Sequence, residues 1–142
     1  MAASVLPAQA QSRRVEWNGS RGGRTVSEST YESRPNGGLI IRRESNTIGP
    51  NGGASQGNTV IRTDGNGNTT FRGGGEAVGP RGNVTPWGSE GSGRINANTG
   101  RYEGQRTTTI NGRTYNSSTE NGRTTVTGPD GQTRVYTRPW AR

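Results

Sequence analysis

Few kinds of side chain in this sequence could do acid–base or nucleophilic chemistry. There is no Cys and no His, which removes thiolate and imidazole catalysis, disulfides and zinc-finger ligation. The carboxylates remain. Asp64 and Asp130 each precede a glycine, where a turn role accounts for them. Glu28, Glu32, Glu44, Glu76, Glu90, Glu103 and Glu120 are scattered, and no spacing singles out the acid and base of a hydrolase. The sequence predicts no enzyme, no cofactor and no resident metal.

Asp64-Gly65-Asn66-Gly67-Asn68 resembles the start of an acidic calcium loop, but the later carboxylates of such a loop are missing. A hairpin turn is the expectation there. All eighteen basic residues are arginine, the side chain suited to stacking on aromatic rings and to bidentate carboxylate contacts. Arg21-Gly22-Gly23 and Arg72-Gly73-Gly74-Gly75 raise an alternative reading as an Arg-Gly-rich nucleic-acid-binding protein. Arginine is nonetheless spread along the chain, about one every eight residues, where a nucleic-acid footprint would cluster it. Four Asn-x-Ser/Thr sites, at Asn18, Asn68, Asn83 and Asn116, are candidate glycan attachment points in a secreted chain.

The elements that would position these residues announce themselves through turns. Gly-Pro-x-Gly recurs at Gly49, Gly79 and Gly128, with proline presetting φ and the last glycine free to take the left-handed conformation of a bulged hairpin. Asn-Gly pairs fall at Asn111, Asn121, Asn18, Asn36 and Asn66, the strongest two-residue hairpin signal. The copies look irregularly spaced, so the expectation is a degenerate array with no strict period. No apolar residues recur at helical spacing, and glycine interrupts every long window.

Between turns lie short strands rich in Thr. The clearest are Gln105–Ile110, Arg113–Thr119, Arg123–Thr127 and Gln132–Arg138; weaker ones are Arg13–Trp17, Thr25–Ser33, Leu39–Glu44, Asn58–Thr63, Asn68–Arg72 and Arg101–Glu103. Alternation puts Thr133, Val135 and Thr137 on one face of the last strand, with Arg134, Tyr136 and Arg138 on the other. By the same reading Thr114, Thr124 and Val126 are expected on a small-residue side, and Arg113, Tyr115, Arg123 and Thr125 opposite them.

Leu, Ile, Val and Phe number 17 of 142 residues, well under the roughly one-fifth below which a packed core becomes improbable. The expected fold is all-β: an antiparallel hairpin or meander array with little hydrophobic core, completed by neighbouring subunits. Residues 1–10 read as a remnant of a secretory signal, with Ala8-Gln9-Ala10 as the cleavage motif and Gln11 the first mature residue. Residues 11–72 form an N-terminal hairpin segment, 73–93 a Gly-rich loop or linker, and 94–142 the C-terminal meander. No later apolar run approaches the ~18 residues of a membrane helix.

In texture the region from Arg13 to Arg142 resembles exported bacterial Gly/Asn/Thr/Arg-rich β-repeat proteins and the subunits of extracellular fibrils. The resemblance rests on composition and Gly-Pro-x-Gly turns and carries over no functional residue. It implies a secreted structural protein, at the cell surface, outside it or in the periplasm, polymerising with itself. Trp17, Leu39, Ile40, Ile41, Trp87, Tyr115, Tyr136 and Trp140 are the candidate assembly contacts, since few other side chains bury much area. Arg13–Trp17 or Leu39–Glu44 is the segment expected to complete a neighbour's sheet. A monomeric surface adhesin or carbohydrate-binding module would share this fold, with glycans as partner.

Overall fold

In the computed structural model, which describes residues 10–137, the chain forms ten strands: β1 (Ala10–Asn18), β2 (Arg24–Ser33), β3 (Leu39–Ile48), β4 (Ala54–Thr63), β5 (Asn68–Val78), β6 (Val84–Ile95), β7 (Tyr102–Ile110), β8 (Arg113–Glu120), β9 (Arg123–Thr127) and β10 (Thr133–Thr137). They make one antiparallel sheet in sequence order, β1 to β10. The all-β meander expected from the turns is the fold. Most of the proposed signal segment, together with Arg138 and Trp140, lies outside the described residues. Among those described, no helix is long and apolar enough to cross a membrane.

The turn chemistry explains the regularity. At Gly19, Arg34, Gly49, Asp64, Gly79 and Gly128 the N–H donates to the carbonyl four residues on, and the N–H three residues on donates back. This is the three-residue hairpin whose last position needs positive φ. Gly22, Gly37, Gly52, Gly67 and Gly82 fill that position with φ between 82° and 96°, each 15 residues after the last. The expectation of an irregular array is therefore corrected: five consecutive turns keep a strict period, hidden because only the glycine is invariant among them. The two-residue turns at Asn111-Gly112 and Asn121-Gly122 have positive φ at both positions, as the mirror-image hairpin turn requires. Asn36-Gly37 and Asn66-Gly67, also expected as two-residue turns, lie in three-residue turns with positive φ at the glycine alone, and at Asn18-Gly19 the left-handed residue is Gly22.

Equal turn spacing also keeps the sheet open. Gln11, Ile41 and Phe71 occupy one row across β1, β3 and β5, with Tyr31 and Ile61 between them. Strands advancing by 30 residues per pair accumulate no stagger over this part of the sheet, and closing a barrel demands stagger. The surface confirms the openness. The chain exposes 10710 Å², whereas a compact protein of 15.0 kDa exposes about 7,000 Å². Ile40, at 3% exposure, is the one buried hydrophobic residue among those described, and no side chain is fully enclosed.

One expectation about organisation fails. The stretch from Gly73 to Gly93, read as loop or linker, belongs to β5 and β6 with a short turn between them, and these strands pair over eleven positions. Glycine disfavours strands in isolation, but here it leaves room for aromatic rings lying on the sheet.

Candidate functional site

Residues directly opposite one another in antiparallel strands share a face, so the nine ladders sort the side chains of the sheet. One face carries Trp17, Tyr31, Phe71, Trp87, Tyr102, Tyr115 and Tyr136, every described aromatic residue. The same face holds Arg13, Arg43, Arg106, Arg113 and Arg134 and no strand acid. The other face takes all eight glutamates and seven arginines. Four ion pairs are there: Arg14–Glu28, Arg24–Glu16, Arg42–Glu32 and Arg94–Glu103, at 2.8 to 3.8 Å. Charge is nearly balanced on that face and uncompensated on the aromatic one.

The aromatic face is built on glycine. Trp87 of β6 reaches over β5 to Gly57 of β4, and Phe71 of β5 covers Gly91 of β6. Gly57 and Gly91 suit these positions because a ring can lie on the sheet only where no Cβ stands beneath it. The Arg106 guanidinium sits 5.3 Å from the Phe71 ring centroid, and its Nε donates to Ser89 Oγ at 2.6 Å. Arg43 Nε likewise donates to Ser29 Oγ at 3.3 Å. Ser29 and Ser89 are the two buried polar residues of the described chain, each satisfied by an arginine of the adjoining strand. Hydroxyl pairs complete the face, among them Thr25–Thr47, Ser27–Ser45 and Thr119–Thr124.

At the C-terminal end the face dips into a groove of about 690 Å³ lined by Arg113, Tyr115, Val126, Asp130, Arg134 and Tyr136, among others. Its cause is a succession of side-chain sizes. β9 is five residues long and shows Thr124 and Val126 between the long side chains of β8 and β10. The expected sorting of β9 is corrected here: Thr124 and Val126 share the face of Arg113, Tyr115, Arg134 and Tyr136, while Arg123 and Thr125 join Thr133 and Val135. The two-residue turn at Asn121-Gly122 sets that register, opposing Glu120 to Arg123.

Other predicted residues are dispersed. Leu39 and Ile41 lie on the aromatic face, and Ile40 on the charged face. The Leu39–Glu44 segment cannot complete a neighbour's sheet, because β3 is already paired along its length to β2 and β4. Arg13–Trp17 lies in β1, an edge strand. Asn18, Asn68, Asn83 and Asn116 are all exposed; Asn68 Nδ2 donates to Asp64 Oδ2, and Asn116 Oδ1 accepts from Thr107. Asp64 is a turn residue: its Oδ1 accepts the N–H groups of Asn66 and Asn68 at 2.8 and 2.9 Å. Those bonds, with the Asn68 side chain foremost, hold its carboxyl below the ordinary aspartate range.

The Arg-x-Tyr pairs Arg113/Tyr115 and Arg134/Tyr136 signal the long-side-chain face in the sequence, whereas the groove follows from the side that Thr124 and Val126 take. No protein-family model, curated protein or solved structure matches the chain.

Proposed function

We propose that this protein is a secreted structural protomer whose copies join edge to edge by β-strand addition into an extracellular or cell-surface fibril. The observation that carries the reading is the pair of free edges on an open sheet: β1 and β10 each have one neighbour. An even number of strands makes β10 antiparallel to β1, so a translated copy would continue the meander without interruption. Such a joint is heterologous and does not close, which is the geometry of a filament.

Features of β1 favour the joint. An exposed edge is usually blunted by proline, a bulge or unpaired charge. β1 has nine residues, no proline and an unbroken register with β2. Its Arg14 and Glu16 are engaged by Glu28 and Arg24 of its own chain, which leaves Arg13 as the one charge of the strand without an ion pair among the described residues. Cross-strand pairs contribute only ~0.2–1 kcal/mol each against ~1–2 kcal/mol per ordered residue, so a coreless sheet gains from every added strand. Secretion in this reading rests on the signal-like pattern that ends before Gln11.

Electron microscopy and sedimentation of the purified chain over a wide concentration range test the proposal. Filaments with a sharp concentration threshold are expected. A chain that stays monodisperse throughout would remove it.

A further inference from the structure

We infer that the groove between β8 and β10 is a subsite for a carboxylated sugar of an acidic polysaccharide. The inference stands on the segregation of side chains between the faces, independently of strand addition.

The first support is charge. The strands of the aromatic face carry five arginines without an acid, and two of the five, Arg113 and Arg134, line the groove. Neither has an ion-pair partner among the described residues. The acid at the rim, Asp130, belongs to the turn, where its Oδ1 accepts the Gln132 N–H at 3.2 Å. A guanidinium fork matches a carboxylate bidentately. A second copy laid face to face would set arginine against arginine, so charge disfavours that occupant.

The second support is shape and surface. A groove of about 690 Å³ falls in the range of ~300–1,000 Å³ that small organic ligands occupy. Tyr115 and Tyr136 give it two amphipathic rings, each with an apolar face for the C–H side of a pyranose and a hydroxyl for its rim. Hydroxyls continue away from it along the same face at Thr119 and Thr124.

The third support is the spacing of the arginines. Arg106 and Arg134 share a row three strands apart, about 14 Å at the usual strand separation. Arg13 and Arg43 share another row two strands apart, about 10 Å. A nucleic acid presents one phosphate per nucleotide, one for every ~3.4 Å of helix axis in each strand of a duplex, and asks for denser cations. A polysaccharide whose acidic sugars alternate with neutral ones is charged at the sparser interval.

The test is titration of the full chain, at concentrations below any assembly threshold and again on pelleted assemblies. The probes are hyaluronate, in which a carboxylated sugar alternates with a neutral one, its methyl ester, dextran and a thymidine oligonucleotide. Hyaluronate is expected to bind, the ester and dextran to bind far more weakly, and the oligonucleotide to bind less well at equal charge. Arg113→Gln and Arg134→Gln should each weaken hyaluronate about fivefold or more, the loss of one exposed charge-assisted contact. Arg62→Gln removes the same charge from the opposite face and should change binding less than about twofold. No binding, equal loss in all three variants, or tighter binding of the oligonucleotide would each overturn the inference. Binding by monomers that never form filaments would leave it standing while the fibril reading fell.

Discussion

Trp87 lies against Gly57 two strands away: a Cβ built on that glycine would come within 2.5 Å of Trp87 Cζ2. The indole of β6 therefore spans β5 and rests on β4, and one missing methyl group decides whether it can. This contact ties together strands that share no hydrogen bond.

Gly57→Ala should lift the indole and destabilise the sheet by about 1–3 kcal/mol, the cost of overpacking a fitted contact. Gly88→Ala is the control. The nearest atom to its new methyl would be the Gly73 carbonyl oxygen at 3.8 Å, so a neutral or slightly stabilising effect is expected from the gain in strand propensity. Thermal unfolding with Trp87 as the sole tryptophan, in a Trp17→Phe, Trp140→Phe background, reads both stability and the polarity around the ring. Equal shifts for the two glycines would show that Trp87 does not rest where the geometry has it.

The turn at Asn121-Gly122 makes a second prediction. Asn121 has a φ of 51°, a conformation that costs an ordinary L-residue ~1–2 kcal/mol. Asn121→Ala should destabilise the β8–β9 hairpin by about 1 kcal/mol, and Asn121→Gly should be close to neutral. Chemical denaturation at constant m-value measures the difference. Two variants of equal stability would mean that the left-handed turn is not what holds β9 in register.

What the sequence made legible, and what it hid, follows from where each signal resides. Turn chemistry is local, so Asn111-Gly112, Asn121-Gly122 and the Gly-Pro-x-Gly turns could be read directly. The 15-residue period was harder to see because the residue before each of Gly22, Gly37, Gly52, Gly67 and Gly82 is either Arg or Asn, and only the glycine and its positive φ recur. The strands β5 and β6 looked like linker because glycine's propensity is a property of the isolated residue. Phe71 and Trp87 supply the missing contacts from neighbouring strands. Parity was the last obstacle. Alternation within β9 says which residues share a side, but only its pairing to β8 and β10 says which side that is, and the groove depends on it.

Asp64 gives a pH prediction whose sign can be worked out. Three hydrogen bonds to its carboxylate, from Asn66 and Asn68, lower its affinity for protons in the folded turn. A carboxyl depressed by folding adds stability above its unfolded value and loses it as pH falls through the folded one. The β4–β5 turn should accordingly loosen only in acid, below about pH 4. Amide exchange at Asn66 and Asn68 reports it. In Asp64→Asn this acid step should vanish; an unchanged step would assign the loosening to another group.

Edge addition can be separated from a general stickiness of exposed apolar residues. Val15 on edge strand β1 and Val84 on interior strand β6 are 47% and 55% exposed, and lysine at either position adds the same charge to the chain. In a translated copy the neighbour's β10 brings Arg134 to the aromatic face beside β1, where Val15 and Arg13 also lie. Val15→Lys would thus set like charges across the joint, an arrangement that opposes strand pairing. Val84 faces the charged side within a strand paired to β5 and β7, away from any joint. The filament threshold should rise about fivefold or more for Val15→Lys, equivalent to about 1 kcal/mol per joint, and stay near wild type for Val84→Lys. Added salt should bring the Val15→Lys threshold back down, because screening shortens the reach of the repulsion to about 3 Å at 1 M. Equal thresholds for the two variants would place the contact on the faces of the sheet and remove strand addition as the mode of assembly.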